Sequence, residues 1–317
     1  MIKIRFRNLP KDKVWNCFSE LIHLATGESV LIVEDFDQHV DFEITGPYGD
    51  IFNDRKKINQ KRMKRMLYAK LTKGQHLIKK NLSLEGPINH KLTKNFWFTG
   101  ENTRPPFGNW DLYFGFDTNL SSNDHVYFPL WWITSTKLFK AVDKSYWGTP
   151  IPDTKLLMQP RLLRKPNERF ASTFIGKSYS MRLHALNVLN KIEKVDIYGG
   201  AARRIVDSPS KIAMEYKFIL CFENDIYPGY ITEKPFEAYF AGAVPLYHGL
   251  DSAGYLNPKS IINLSNFQSI DDWGIFIKEV HENYQLYKEI FEQPILAKEP
   301  TLDLAINKIR HILLSDK

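Results

Sequence analysis

Apolar and polar positions along the chain fall into two rhythms, a period of two and a period near 3.6. Residues 3–7 alternate as Lys, Ile, Arg, Phe, Arg and predict a first strand. Residues 15–24 carry the helical spacing. Residues 29–33 are β-branched enough for a second strand. Residues 40–44 alternate again and run into Gly46-Pro47-Tyr48-Gly49, a turn signal. Residues 94–99 predict a strand entering Gly100, and residues 111–116 one closing at Asp117.

Between residues 146 and 167 neither rhythm holds. Gly148, Pro150, Pro152, Pro160 and Pro166 fall there, so the stretch reads as a linker. Beyond it, strands are expected at 170–175, 195–198, 217–222, 243–247 and 260–264. Helices are expected at 181–192, 212–216, 232–240 and 271–291. Short strands alternating with helices imply a parallel, Rossmann-like sheet, whose ligands bind beyond the carboxyl ends of the strands. In the last segment Leu302, Ile306, Ile309 and Leu313 are spaced four, three and four apart, which makes one face of a terminal helix.

Composition narrows the class. The 317 residues are 43% hydrophobic and 25% charged, enough apolar material for about two α/β cores and too much for a disordered chain. Cys17 and Cys221 make neither a disulfide framework nor a zinc pattern, which fits a reducing compartment. Residues 1–10 hold no signal-peptide core, and no apolar run is long enough to span a bilayer. A cytoplasmic location is expected. Charge changes the picture at one place. Residues 51–80 contain eleven Lys or Arg and one acid, Asp54, so this window carries +10 of a net +7. It reads first as a solvated helix face. Docking on an anionic membrane, the inner membrane face, is the alternative. Nucleic acid is disfavoured, because no binding motif or interleaved stacking aromatics accompany the charge.

Candidate chemistry concentrates at helix starts. Thr232 is a natural N-cap and Pro235 fits a first turn. Glu233 suits the positive helix end, whereas Lys234 there costs about 0.3–1 kcal/mol unless something negative lies nearby. A helix N-terminus is also an anion site, so Lys234 would make sense holding a phosphate. Arg182 poses the same problem after the strand at 170–175, with Ser178 and Ser180 as possible caps. Two such cations suggest a diphosphate between them, and two ordinary surface cations remain the plainer alternative. Glu101, in Gly100-Glu101-Asn102-Thr103-Arg104, follows an aromatic strand and could serve as a base, although a lone loop Glu is usually only solvated. Asp35-Phe36-Asp37 mimics a metal-binding Asp-x-Asp but reads as a polar turn. The nine His residues contain no HExxH, and Gly199-Gly200 is not a dinucleotide fingerprint.

Residues 218–249 contain Phe222-Glu223-Asn224, Tyr230-Ile231-Thr232-Glu233-Lys234 and Ala241-Gly242-Ala243-Val244-Pro245 ending at Gly249. In that order and spacing they resemble the signature of α1,3-fucosyltransferases, glycosyltransferase family 10. Residues 98–102 with 111–117, and residues 170–172 with Arg182, resemble two further blocks. The likeness covers most of residues 90–265, and the first 90 match loosely.

The resemblance implies an α/β GT-B fold, two Rossmann-like domains with parallel sheets facing each other across a cleft. Residues 1–155 would bind the acceptor and 156–295 GDP-fucose, and a C-terminal helix in 296–317 would pack back toward the first domain. It implies inverting transfer of L-fucose from GDP-fucose to the 3-hydroxyl of GlcNAc in a LacNAc or Lewis-type oligosaccharide, with no cofactor and no metal. Glu101 would match the general base, Arg182 and Lys234 the diphosphate binders, and Asn224, Tyr230 and Glu233 donor-site residues. Glu233 has two possible tasks: bonding a ribose or sugar hydroxyl, or offsetting positive charge on the sugar ring. The chain looks like a soluble bacterial-type member without the membrane anchor and luminal disulfides of eukaryotic ones. The alternatives are an α1,4 linkage, another nucleotide sugar, or a non-catalytic GDP- or glycan-binding protein.

Overall fold

A computed structural model describes residues 1–9, 13–47, 93–103, 110–120, 122–134, 157–176 and 180–314. The basic window 51–80 and residues 146–156 of the expected linker lie outside the described residues. The chain forms two compact units. One comprises Met1–Gly115, Ser122–Val126 and Asp303–Lys317; the other comprises Phe116–Ser121 and Tyr127–Leu302. These divisions fall at different places from the boundaries read at 155 and 295, because contacts set them and composition does not.

The first unit is built on a six-stranded sheet in the order β2-β1-β3-β4-β5-β6. Its strands are β1 (Ile2–Arg7), β2 (Val30–Ile32), β3 (Phe42–Thr45), β4 (Lys94–Phe98), β5 (Leu112–Gly115) and β6 (His125–Tyr127). The pairs β1–β2, β1–β3, β3–β4 and β4–β5 are parallel. Strand β6 has three residues, too few for a period, and the sequence reading missed it. Helix α1 (Lys13–Thr26) buries Val14, Cys17, Phe18, Leu21, Ile22 and Ala25, one helical stripe. Phe18 meets the rings of Phe98 and Phe114 edgewise, each at 5.2 Å. Arg310 of the last helix donates to the carbonyls of Ala25 (2.9 Å) and Leu24 (3.2 Å), closing the open end of α1.

The second unit carries a five-stranded sheet in the order β11-β10-β9-β7-β8. Its strands are β7 (Arg169–Phe174), β8 (Val195–Tyr198), β9 (Tyr216–Phe222), β10 (Val244–His248) and β11 (Ile262–Asn263), all paired in parallel. The helices are α2 (Ser180–Leu189), α3 (Pro209–Ala213), α4 (Lys234–Phe240), α5 (Ile270–Glu282) and α6 (Tyr284–Phe291), with α7 (Asp303–Leu314) belonging to the first unit. Phe170, Leu186, Leu189, Phe218, Leu220, Val244, Trp273 and Ile277 form one continuous core. The α/β class and the two parallel sheets expected from the sequence are present.

Three local expectations are corrected. The helix read at 212–216 is α3 at Pro209–Ala213, and Tyr216 begins β9. The helix read across 271–291 is two, because the Asn283 side chain accepts from the backbone N–H of Gln285 (3.0 Å) and Leu286 (3.1 Å) and caps α6. The described end of the expected linker is docked rather than free. Leu157 is fully buried. Arg161 lies between the rings of Tyr239 and Phe291 and donates to the carbonyls of Phe291 (3.0 Å), Ala243 (3.1 Å) and Tyr239. Prolines interrupt periodicity without preventing side chains from packing.

Candidate functional site

In order of their appearance in the chain, the strands of the second sheet run 2-1-3-4-5. The chain reverses direction between β7 and β9, the switch point where doubly wound sheets hold ligands. Helix α2 leaves β7 there, and the loop to α4 leaves β9. Arg182, the third residue of α2, is only 6% exposed. Its Nη2 donates to the carbonyls of Phe222 (2.7 Å) and Glu223 (3.3 Å) and to Asn224 Oδ1 (3.0 Å). The guanidinium therefore crosses the switch point and fastens α2 to the end of β9.

Glu223 is the hub. Its carboxylate is fully buried. Oε1 accepts from Thr232 N (2.8 Å) and the Tyr247 hydroxyl (3.2 Å). Oε2 accepts from the Thr232 hydroxyl (2.7 Å) and Lys234 Nζ (3.1 Å). Lys234 Nζ also donates to Thr232 Oγ1 (2.8 Å) and lies 3.9 Å from Glu233 Oε1. Burial by itself disfavours the Lys234 ammonium. Glu223 and then Glu233 outweigh it and lift the ammonium above its ordinary range, while Arg182 acts in the opposite sense. Burial first, and Glu223 second, push the Cys221 thiol and the Tyr247 phenol well up, so Tyr247 stays protonated as a donor.

The expectation that Thr232 caps α4 is corrected. The N-cap position is Glu233, with helical backbone angles and no side-chain cap bond, and the Thr232 hydroxyl is turned to Glu223. The hydroxyl donates to that buried carboxylate while its oxygen accepts from Lys234 Nζ, so it is engaged on both sides away from the helix backbone. The negative partner that Lys234 needs in this structure is likewise Glu223. The sequence places that residue in the motif at 222–224 but assigns it no role of its own. Its signal is an acid directly after the apolar run Phe218–Phe222, where solvation cannot satisfy it.

The loop between β9 and α4 is held by its own turn. Gly229 sits at φ +81°, where a Cβ would meet Phe116 O at 2.2 Å. Its N–H donates to Leu250 O (2.9 Å), and its carbonyl accepts from the Tyr127 hydroxyl (3.2 Å). The Tyr230 ring is buried edgewise against Phe116 at 4.9 Å. Arg182, Asn224, Glu233 and Lys234 thus gather around Glu223, with Tyr230 packed in the same loop.

Glu101 belongs to the first unit, just past the carboxyl end of β4. Its N–H donates to Thr99 Oγ1 (3.2 Å), and its carbonyl accepts from the Thr99 hydroxyl (2.7 Å) and from Thr103 N (2.6 Å). The backbone is pinned on both sides while the residue keeps partial exposure. Asp35 closes its turn by accepting from Asp37 N (3.0 Å), as expected of a polar turn. Among the described residues no group of three or more His, Cys, Asp or Glu side chains could hold a metal ion.

Known proteins resemble this chain in sequence and in fold. Alpha-(1,3)-fucosyltransferase FucT of Helicobacter pylori is 30% identical over 234 residues, 66% of this chain and 48% of that protein. The 4-galactosyl-N-acetylglucosaminide 3-alpha-L-fucosyltransferase 9 of Mus musculus is 35% identical over 115 residues, 35% of this chain and 32% of that protein. The chain thus spans about half the length, or less, of these relatives. A crystal structure of an alpha1,3-fucosyltransferase with GDP-fucose superposes with a TM-score of 0.66 at 21% identity, over all of this chain and 91% of that one, which establishes a shared fold. Residues 167–294 match the model for "Glycosyltransferase family 10 (fucosyltransferase) C-term", the stretch that contains Arg182, Glu223 and Lys234. The part of the second unit that carries the Glu223 hub is therefore what resembles the C-terminal domain of glycosyltransferase family 10, the fucosyltransferases.

Proposed function

We propose that this protein transfers L-fucose from GDP-fucose to the 3-hydroxyl of GlcNAc in a LacNAc or Lewis-type acceptor, with inversion at the anomeric carbon. The observation that carries the reading is the meeting of Arg182 and Lys234 on one residue, Glu223, at the switch point of the second sheet. As the bond to fucose breaks, negative charge grows on GDP. Two cations already fixed in place stabilise it without reorganising. Asn224, Tyr230 and Glu233 complete the donor site: Asn224 orients Arg182, and Glu233 lies beside the Lys234 ammonium.

Glu101 is the proposed base. The acceptor hydroxyl is a poor nucleophile until a carboxylate takes its proton in the transition state, typically an effect of about 10²–10⁴-fold. Displacement from the face opposite GDP then gives the α-linked product in one step. The name of the mouse relative, a 3-alpha-L-fucosyltransferase acting on a 4-galactosyl-N-acetylglucosaminide, supports this acceptor class.

The deciding experiment incubates the protein with GDP-fucose and LacNAc in EDTA and analyses the linkage formed. An α1,3-fucosylated GlcNAc is expected. An α1,4 product, or turnover only with another nucleotide sugar, would overturn the stated specificity. Absence of both product and acceptor-dependent GDP release, with and without added divalent metal, would overturn the enzymatic reading.

A further inference from the structure

We propose that Glu223 is the positioning residue of the donor site, holding the Lys234 ammonium where a diphosphate oxygen is received. The proposal rests on the donor-site reading above, in which Glu223 is only the point where the two cations meet, and gives that residue a task of its own.

The geometry is specific. An ammonium has three N–H donors. Glu223 Oε2 and Thr232 Oγ1 take two of them, at 3.1 and 2.8 Å. Among the described residues no hydrogen bond uses the third, with Glu233 Oε1 at 3.9 Å, so it is left for a ligand, and the Lys234 side chain keeps 25% exposure through which one can approach. Glu223 cannot move in response, because Thr232 N, the Thr232 hydroxyl and Tyr247 also fasten it. A flexible four-carbon stem is thereby turned into a fixed point charge, and its ordering is complete before the ligand binds. The same residue reaches the second cation by another route, since its carbonyl accepts from Arg182 at 3.3 Å. The charged groups facing Lys234 are Glu223, Glu233 and Arg182.

The informative variant is Glu223→Gln. A glutamine can keep its carbonyl toward Thr232 N and Tyr247 and offer its amide to Thr232 Oγ1. The amide then points N–H groups at the Lys234 ammonium, donor against donor. The fold is retained while Lys234 loses its anchor. GDP binding to the full chain, measured by calorimetry, should weaken about tenfold or more at pH 7. The loss should grow between pH 7 and 9: without the Glu223 charge the buried ammonium sheds its proton at lower pH, whereas the wild-type one is held above its ordinary range. In a Lys234→Ala background, Glu223→Gln should cost less than about twofold more, because the two residues act as one unit.

Full additivity of the two substitutions, or a pH-independent loss in a variant that melts like wild type, would overturn the positioning role. If Glu223→Gln does not fold, Tyr247→Phe and Thr232→Val, which each remove part of the Glu223 clamp, take its place. Wild-type affinity in both would equally overturn the role. Failure of the wild-type chain to bind GDP at all would instead overturn the donor-site reading, so the two failures are distinguishable.

Discussion

In the first sheet the buried charges lie across the middle of the strands, and in the second they lie past the strand ends. Arg5 and Glu43 are register partners on β1 and β3, with side chains 3% and 2% exposed, and Arg7 shares the same carboxylate at 3.2 Å. Arg5 is further tied to the carbonyls of Asp35 (2.9 Å) and Gln38. That cluster lies within the sheet, where neighbouring strands enclose the Arg5 and Glu43 side chains. Arg182, Glu223 and Lys234 also satisfy one another, but at the mouths of two helices, where the Lys234 side chain keeps 25% exposure. Both sheets share the strand order 2-1-3-4-5, so order alone does not make a site. Position along the strand separates an ion cluster enclosed by the sheet from one placed where a ligand can approach.

The largest expected effect tests the structural side. Glu43→Ala strands Arg5 without its carboxylate and should cost about 3–5 kcal/mol in denaturant unfolding. GDP affinity of the folded fraction should stay at the wild-type value; a drop would erase the division of labour. Next, Glu101→Ala should lower kcat by at least about 10²-fold while calorimetric GDP affinity is kept. Unchanged turnover would remove Glu101 from the mechanism.

Lys234→Ala and Arg182→Ala should each weaken GDP binding by about 10–100-fold, the loss of one charge-assisted contact. They should differ in stability. Arg182 also fastens α2 to the carbonyls ending β9, so its loss should lower the melting temperature more than that of Lys234. Equal melting temperatures would show that the guanidinium has no structural share. The smallest effect is expected at the turn. Gly229→Ala forces a side chain into φ +81° and against Phe116 O, and should cost about 1–3 kcal/mol of stability. GDP affinity unaffected by that change would mean the loop does not set the cation geometry.

Much of this fold is legible in the residues. The strand at Val195–Tyr198 begins and ends where its alternation does, and β9 was read one residue short. The break at Asn283 was missed because its apolar neighbours keep a helical period on both sides. At the site, Lys234 was legible as a cation in an unfavourable place, but Glu223 was not legible as the cause. The pair is eleven residues apart, on opposite sides of a turn.

The sequence by itself determined most of the order of strands and helices, the parallel α/β class and the motif at residues 218–249, since these follow from local periodicity and short-range chemistry. Only the tertiary structure decided which charge answers which. Arg182 is 40 residues from Phe222, and Tyr247 is 24 from Glu223. Such groups meet because parallel strands bring their carboxyl ends side by side. Burial there leaves each polar atom no water and obliges it to find another.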